Sequence, residues 1–265
     1  MINLIFRYEF LQNAIIGALF ASIITGIIGS IIVEKKLVML SSGIAHISFG
    51  GIGLGYLVNV EPIHTAFIFS ILSSIGIVKL NNSHKSYPDS LIGIFWSLGM
   101  ALGILFIYLN PGYPPDVNSY LFGDILTITK SDLALIIGIT VIIVSVFMMF
   151  FNYWLAYFFD EEFFHTLGFS KSFFDYTLFI LIAIAIIALV KLVGIILIIA
   201  LLTLPTAMAK LFSNTFNKII FLASGFSFIF IMSGLYISYI LDIPSGASII
   251  ISSATIYFIT LAIKN

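Results

Sequence analysis

Charges in this chain are rare, and the stretches between them are long enough to cross a bilayer. A helix needs about 20 apolar residues to span the hydrocarbon of a membrane. Reading from charge to charge gives Phe10–Val33, Leu37–Val60, Pro62–Val78, Ser90–Pro115, Leu133–Phe159, Tyr176–Ala209, Ile219–Leu241 and Ile243–Ile263. His46 interrupts the second run and Lys191 the sixth, and Asn110-Pro-Gly-Tyr-Pro-Pro turns the chain at the end of the fourth. Asp242-Ile-Pro244 marks a further sharp turn, because proline removes a donor and cannot continue a helix. The sixth run would overshoot the bilayer as one helix, and Gly194 and Pro205 both permit a break. Eight spans follow if that run is one span plus a half-helix, and nine if it is two spans. Asn118–Thr129 reads as a short or re-entrant segment, which lipid tolerates only where protein covers its backbone. The expected fold class is therefore all-α, a polytopic helical membrane protein.

Composition closes off the alternatives. Hydrophobic residues make up 61% of the 265 and charged residues 9%, against about 25% charged in a soluble domain. No water-soluble globule of this size hides that much apolar surface. Period-two strands of an outer-membrane barrel are absent from the pattern. The net charge of −1 leaves no basic footprint for nucleic acid. With no cysteine, disulfides and thiolate chemistry are excluded. There is no Gly-x-x-x-x-Gly-Lys-[Ser/Thr] phosphate loop and no His-Glu-x-x-His, so the sequence gives no reason to expect ATP hydrolysis or zinc proteolysis by this chain.

Lys and Arg set the orientation. With the Glu34-Lys35-Lys36 loop in the cytoplasm and nine spans, Lys35, Lys36, Lys79, Lys85, Lys171, Lys210, Lys218 and Lys264 fall inside. Arg7, Lys130 and Lys191 fall outside or at membrane depth, with Lys191 expected to snorkel. The one long loop, Asn152–Asp175, is then cytoplasmic. Within it Asp160 is a helix cap, Glu161 and Glu162 suit the positive end of the helix dipole, and Gly168 is a stop. Phe163, Phe164 and Leu167 are expected to form an apolar stripe. Such a helix either lies on lipid or docks a soluble partner, and its acidic residues disfavour an anionic leaflet.

His46 is the histidine that stands well inside an apolar span. Imidazole in a membrane either packs against a neighbouring hydroxyl or carbonyl or faces a polar path, where it ligates zinc, manganese or iron. Ser41 and Ser42 share or adjoin its face. Gly50, Gly51, Gly53 and Gly55 follow and permit close helix approach.

Six segments, in order, carry a resemblance. They are Leu40-Ser41-Ser42-Gly43-Ile44-Ala45-His46 with the glycines after it; Asp89-Ser90-Leu91-Ile92-Gly93; Tyr120-Leu121-Phe122-Gly123-Asp124 with Asp132; Phe159-Asp160 to Leu167-Gly168; Lys191-Leu192-Val193-Gly194 to Ala200-Leu201-Leu202-Thr203-Leu204-Pro205-Thr206-Ala207-Met208-Ala209; and Gly234-Leu235-Tyr236-Ile237-Ser238 with Asp242-Ile243-Pro244-Ser245-Gly246. Together they resemble the membrane permeases of ABC importers that take up zinc, manganese or iron. The resemblance covers nearly the whole chain. It implies a single transmembrane permease domain over residues 1–265, of the type II importer kind, embedded in membrane lipid. It implies a homodimer with the ion path at its interface, and no enzymatic role for the chain itself. Separate ATPase subunits would dock on a coupling helix at Asp160, Glu161, Glu162, Phe163, Phe164, Leu167 and Gly168. An extracytoplasmic solute-binding protein would deliver the ion. The transported divalent metal would meet His46 and Ser42. The family carries an aspartate where this chain has Ser42, and a hydroxyl is a weaker ligand than a carboxylate. That departure leaves open a permease for a metal chelate or another small solute. A proton-coupled secondary transporter is a further alternative, but no inverted repeat and no acid in the middle of a span support it.

Overall fold

The computed structural model describes residues 8–84, 88–111 and 117–264; Arg7, Lys85 and the Gly112–Pro115 part of the predicted turn lie outside them. Twelve α-helices and one 3₁₀ turn occur among the described residues, and no strand does. They are α1 (Glu9–Glu34), α2 (Val38–Leu57), α3 (Pro62–His84), α4 (Pro88–Leu109), α5 (Asn118–Phe122), a 3₁₀ turn (Ile125–Thr127), α6 (Lys130–Met149), α7 (Phe151–Phe159), α8 (Glu161–Thr166), α9 (Lys171–Val193), α10 (Ile198–Phe212), α11 (Phe216–Leu241) and α12 (Ser245–Lys264). Eight of them (α1–α4, α6, α9, α11 and α12) are long and apolar enough to cross a membrane.

Two runs divide into separate helices. Leu133–Phe159 breaks at Phe150, between α6 and α7. Tyr176–Ala209 breaks at Gly194, which has φ +85°, and not at Pro205, which sits inside α10. Proline needs only that the carbonyl one turn back go without its helical donor, and a helix with protein around it tolerates that. α10 has 15 residues, about 22 Å at 1.5 Å per residue, short of the ~30 Å hydrocarbon. Eight helices are therefore long enough to span and α10 is a short one, the case of one span plus a half-helix over Tyr176–Ala209.

The chain forms two compact units, Met1–Val33 with Val117–Val141 and Ala188–Asn265, and Glu34–Asp116 with Ile142–Ile187. In the first, α1 packs through small residues. A Cβ on Gly26 would meet the Ser224 backbone of α11, and one on Gly29 the Leu202 carbonyl of α10. Thr25 Oγ1 donates to Ser227 Oγ at 2.6 Å. Lipid supplies no hydrophobic drive between helices, so close packing and such bonds hold them together. The α5 segment is covered by protein, with Tyr120, Ile125 and Ile128 buried. It supplies the hydrogen bonds that the α9–α10 break loses: Ile195 N–H donates to Tyr120 O at 3.0 Å and Ile196 N–H to Leu121 O at 3.2 Å. Gly123 (φ +67°) and Gly194 lie backbone to backbone there, where no Cβ fits on either.

The second unit has two parts. α2 lies against α3 and α4 through its glycines. Gly51 meets Ala66 of α3, Gly50 and Gly53 meet Gly99 and Gly103 of α4, and Gly99 and Gly103 in turn meet Ile47 and Phe49. The other part is aromatic. Trp154, Tyr157 and Phe158 of α7, Phe164 of α8 and Phe174 of α9 form a buried cluster, with Trp154–Phe174 centroids 4.7 Å apart and Phe164–Phe174 5.0 Å. Edge-to-face pairs of this kind add stability beyond the area they bury.

Candidate functional site

His46 stands two turns into α2. Its Nδ1 lies 2.9 Å from the Ser42 carbonyl oxygen. A carbonyl only accepts, so Nδ1 carries the hydrogen, and a neutral ring then keeps its lone pair on Nε2. Fixing one ring nitrogen by a backbone carbonyl is how proteins orient an imidazole toward a metal. The ring is also stacked on Trp96 of α4, with centroids 3.9 Å apart and planes 23° apart. The sequence reading missed Trp96, because nothing in its local pattern separates a stacking partner from an ordinary apolar residue of the fourth span. His46 is partly exposed, whereas Ser42 is buried one turn below it. The Ser42 hydroxyl has no hydrogen-bond partner among the described residues, and Ser41 donates to the Val38 carbonyl at 2.7 Å. An uncommitted buried hydroxyl next to an oriented imidazole is a polar pair on one helix face. No group of three or more His, Asp or Glu able to hold a metal occurs among the described residues.

The acidic residues elsewhere have structural roles. Asp132 and Thr129 form a reciprocal cap on α6: Thr129 N–H donates to Asp132 Oδ2 at 3.1 Å and Asp132 N–H to Thr129 Oγ1 at 3.2 Å. Lys191 is paired within the protein. Its Nζ lies 2.8 Å from Asp132 Oδ1, with the lysine 27% and the aspartate 8% exposed. Asp124 caps the 3₁₀ turn and accepts from Ser245 Oγ at 3.0 Å. Glu61 and His64 form an exposed pair at 3.8 Å.

The 160s form the expected short helix, with one correction. Asp160 accepts from Phe163 N–H at 2.9 Å as the cap of α8, and Gly168 ends the turn at φ +76° with its N–H on the His165 carbonyl. Phe163 and Phe164 do not share a stripe. Phe164 is fully buried in the aromatic cluster, whereas Phe163 is 53% exposed, because neighbours on a helix point about 100° apart. Phe164 anchors the helix. Glu162 and Phe163 face outward with Gly168, and Leu167 lies between. The backbone of Glu161 is in the first turn, but its side chain lies outside the described residues.

The model of the ABC 3 transport family matches residues 7–264. An uncharacterised membrane protein of Synechocystis is 38% identical over 97% of this chain and 92% of its own length. The manganese transport system membrane protein MntC of Listeria monocytogenes is 32% identical over 96% of this chain and 90% of its own. A solved structure, PsaBC from Streptococcus pneumoniae in complex with Fab, superposes with a TM-score of 0.87 at 30% identity, covering 97% of this chain and 93% of that one. This all-helical, multi-pass membrane protein therefore belongs to the ABC 3 transport family.

Proposed function

We propose that the chain is the permease of an ATP-driven importer for a divalent transition metal, with manganese the first candidate. The observation that carries the reading is His46: one ring nitrogen is committed to the Ser42 carbonyl, the ring is fixed on Trp96, and Nε2 is left as a ligand. Relatives named as manganese transport proteins support the choice of metal. Zinc and iron use the same ligand. One imidazole and one hydroxyl are too few for a cation that must exchange its hydration shell. A homodimer with the path at its interface supplies a second set, and residues 1–265 act in it as one permease domain. ATP is hydrolysed by separate subunits that dock on Asp160–Gly168, since this chain carries no phosphate loop. A solute-binding protein on the opposite side delivers the ion.

The test is radiolabelled manganese uptake into vesicles holding the permease with its ATPase. His46→Ala is expected to abolish uptake while the ATPase still co-purifies. Uptake at the parent level would remove His46 from the path. Ser42, in place of the carboxylate the family carries, favours a second reading, a metal chelate as cargo. Free Mn²⁺ failing to enter through the parent protein while a chelate does would select it.

A further inference from the structure

Lys35 lies in the turn between α1 and α2, outside every residue discussed for metal or docking. Its Nζ donates to the Tyr157 carbonyl at 2.8 Å. That carbonyl belongs to the last turn of α7, where helix carbonyls lack donors and the dipole is negative. The same ammonium sits 4.6 Å from the centroid of the Tyr157 ring and 5.6 Å from that of Phe158, within reach of cation–π attraction. Tyr157 is tied further by its hydroxyl, which donates to Asp175 of α9, and by its ring against Phe164 of α8 at 5.5 Å. All of these residues lie within one compact unit. Lys35 is three residues before the start of α2 and eleven before His46.

We infer that Lys35 is a positioning residue for transport, a clamp that joins the aromatic base of the α8 helix to the start of the helix carrying His46. The next residue, Lys36, has φ +57°, a conformation that lysine rarely adopts, so the turn is tight and carries little slack. A displacement of α8 pulls on Tyr157 through Phe164, and Tyr157 pulls on Lys35. Without the ammonium that bond between the α7 end and the α2 start is lost, and movement at α8 is dissipated before it reaches His46. The inference rests on the docking role proposed for Asp160–Gly168.

The experiment measures manganese taken up per ATP hydrolysed by the assembled complex in vesicles. Lys35→Met is expected to lower that ratio at least fivefold while the ATPase still co-purifies, and Lys35→Arg, which keeps charge and donor, restores it. An unchanged ratio in Lys35→Met overturns the clamp. So does loss of the ATPase from that variant, because Lys35 would then shape the docking surface only. Should Lys35→Met not accumulate, Lys35→Gln keeps an N–H donor without the charge and is read the same way. Failure of the docking reading is seen separately: an ATPase that still co-purifies with Phe163→Asp removes α8 as its seat, whatever Lys35 does.

Discussion

Lys191→Met tests the ion pair with Asp132. The ammonium lies 2.8 Å from Asp132 Oδ1, and only 8% of the aspartate is exposed. Removing one partner of a buried pair leaves the other charge uncompensated and destabilises by roughly 3–5 kcal/mol. Lys191 keeps 27% of its surface and Thr129 still donates to Asp132 Oδ2, so the lower end, about 3 kcal/mol, applies. At about 2–4 °C per kcal/mol this lowers the melting temperature in detergent by roughly 6–12 °C. Asp132→Asn keeps an oxygen for the Thr129 cap and removes the charge. The double variant Lys191→Met/Asp132→Asn is therefore expected to melt above Lys191→Met alone, and the cycle isolates the coupling. Lys130→Met is the control, because Lys130 and its partner Glu9 are 78% and 64% exposed and pairs of that kind contribute little. The assay is thermal unfolding of the purified protein followed by intrinsic fluorescence. A Lys191→Met protein melting no lower than Lys130→Met refutes the buried pair.

Phe164→Ala is expected to cost about 3–5 kcal/mol, the usual range for emptying a buried aromatic site, and to show as a lowered melting temperature. Phe163→Ala leaves the melt near the parent value and weakens ATPase co-purification instead. Gly51→Val forces α2 from α3, because even a Cβ there would lie 2.5 Å from the Ala66 Cα; a loss of about 1–3 kcal/mol is expected from overpacking. Gly138→Val is the matched control, with nothing within 4 Å of a Cβ, and equal melting temperatures for the two variants would contradict the packing described.

The spans were legible because lipid exposure forces long uncharged runs, and nothing shorter than a helix satisfies the backbone there. Interruptions inside a run were not. Phe150 is apolar like its neighbours, and the break there comes from aromatic packing between α7, α8 and α9, which no local signal records. Gly194 and Pro205 both permitted a break in the sixth run, and the break falls at Gly194. The bonds from Ile195 and Ile196 to α5 come from some 75 residues upstream. The pairing of Lys191 was not readable, because its partner Asp132 is 59 residues away. At α8 the caps Asp160 and Gly168 were readable from residue type, but whether Phe163 or Phe164 points inward depended on the aromatic cluster. Of the polar pair, the sequence offered His46 and Ser42; the ring's fixed orientation needed Trp96, fifty residues on.

The glycine contacts of α2 bear on how the molecule moves. Turning α2 by a single residue position is a rotation of about 100°. That would bring side chains to where Gly51, Gly50 and Gly53 now admit the neighbouring backbones. The helix is thus denied independent spin and travels with α3 and α4 as one block. As that block moves, His46 keeps Trp96 beside it, and the Ser42 carbonyl on the same helix keeps the hydrogen on Nδ1. On the path proposed for the ion, release then comes from what withdraws from the ring, not from the ring turning away.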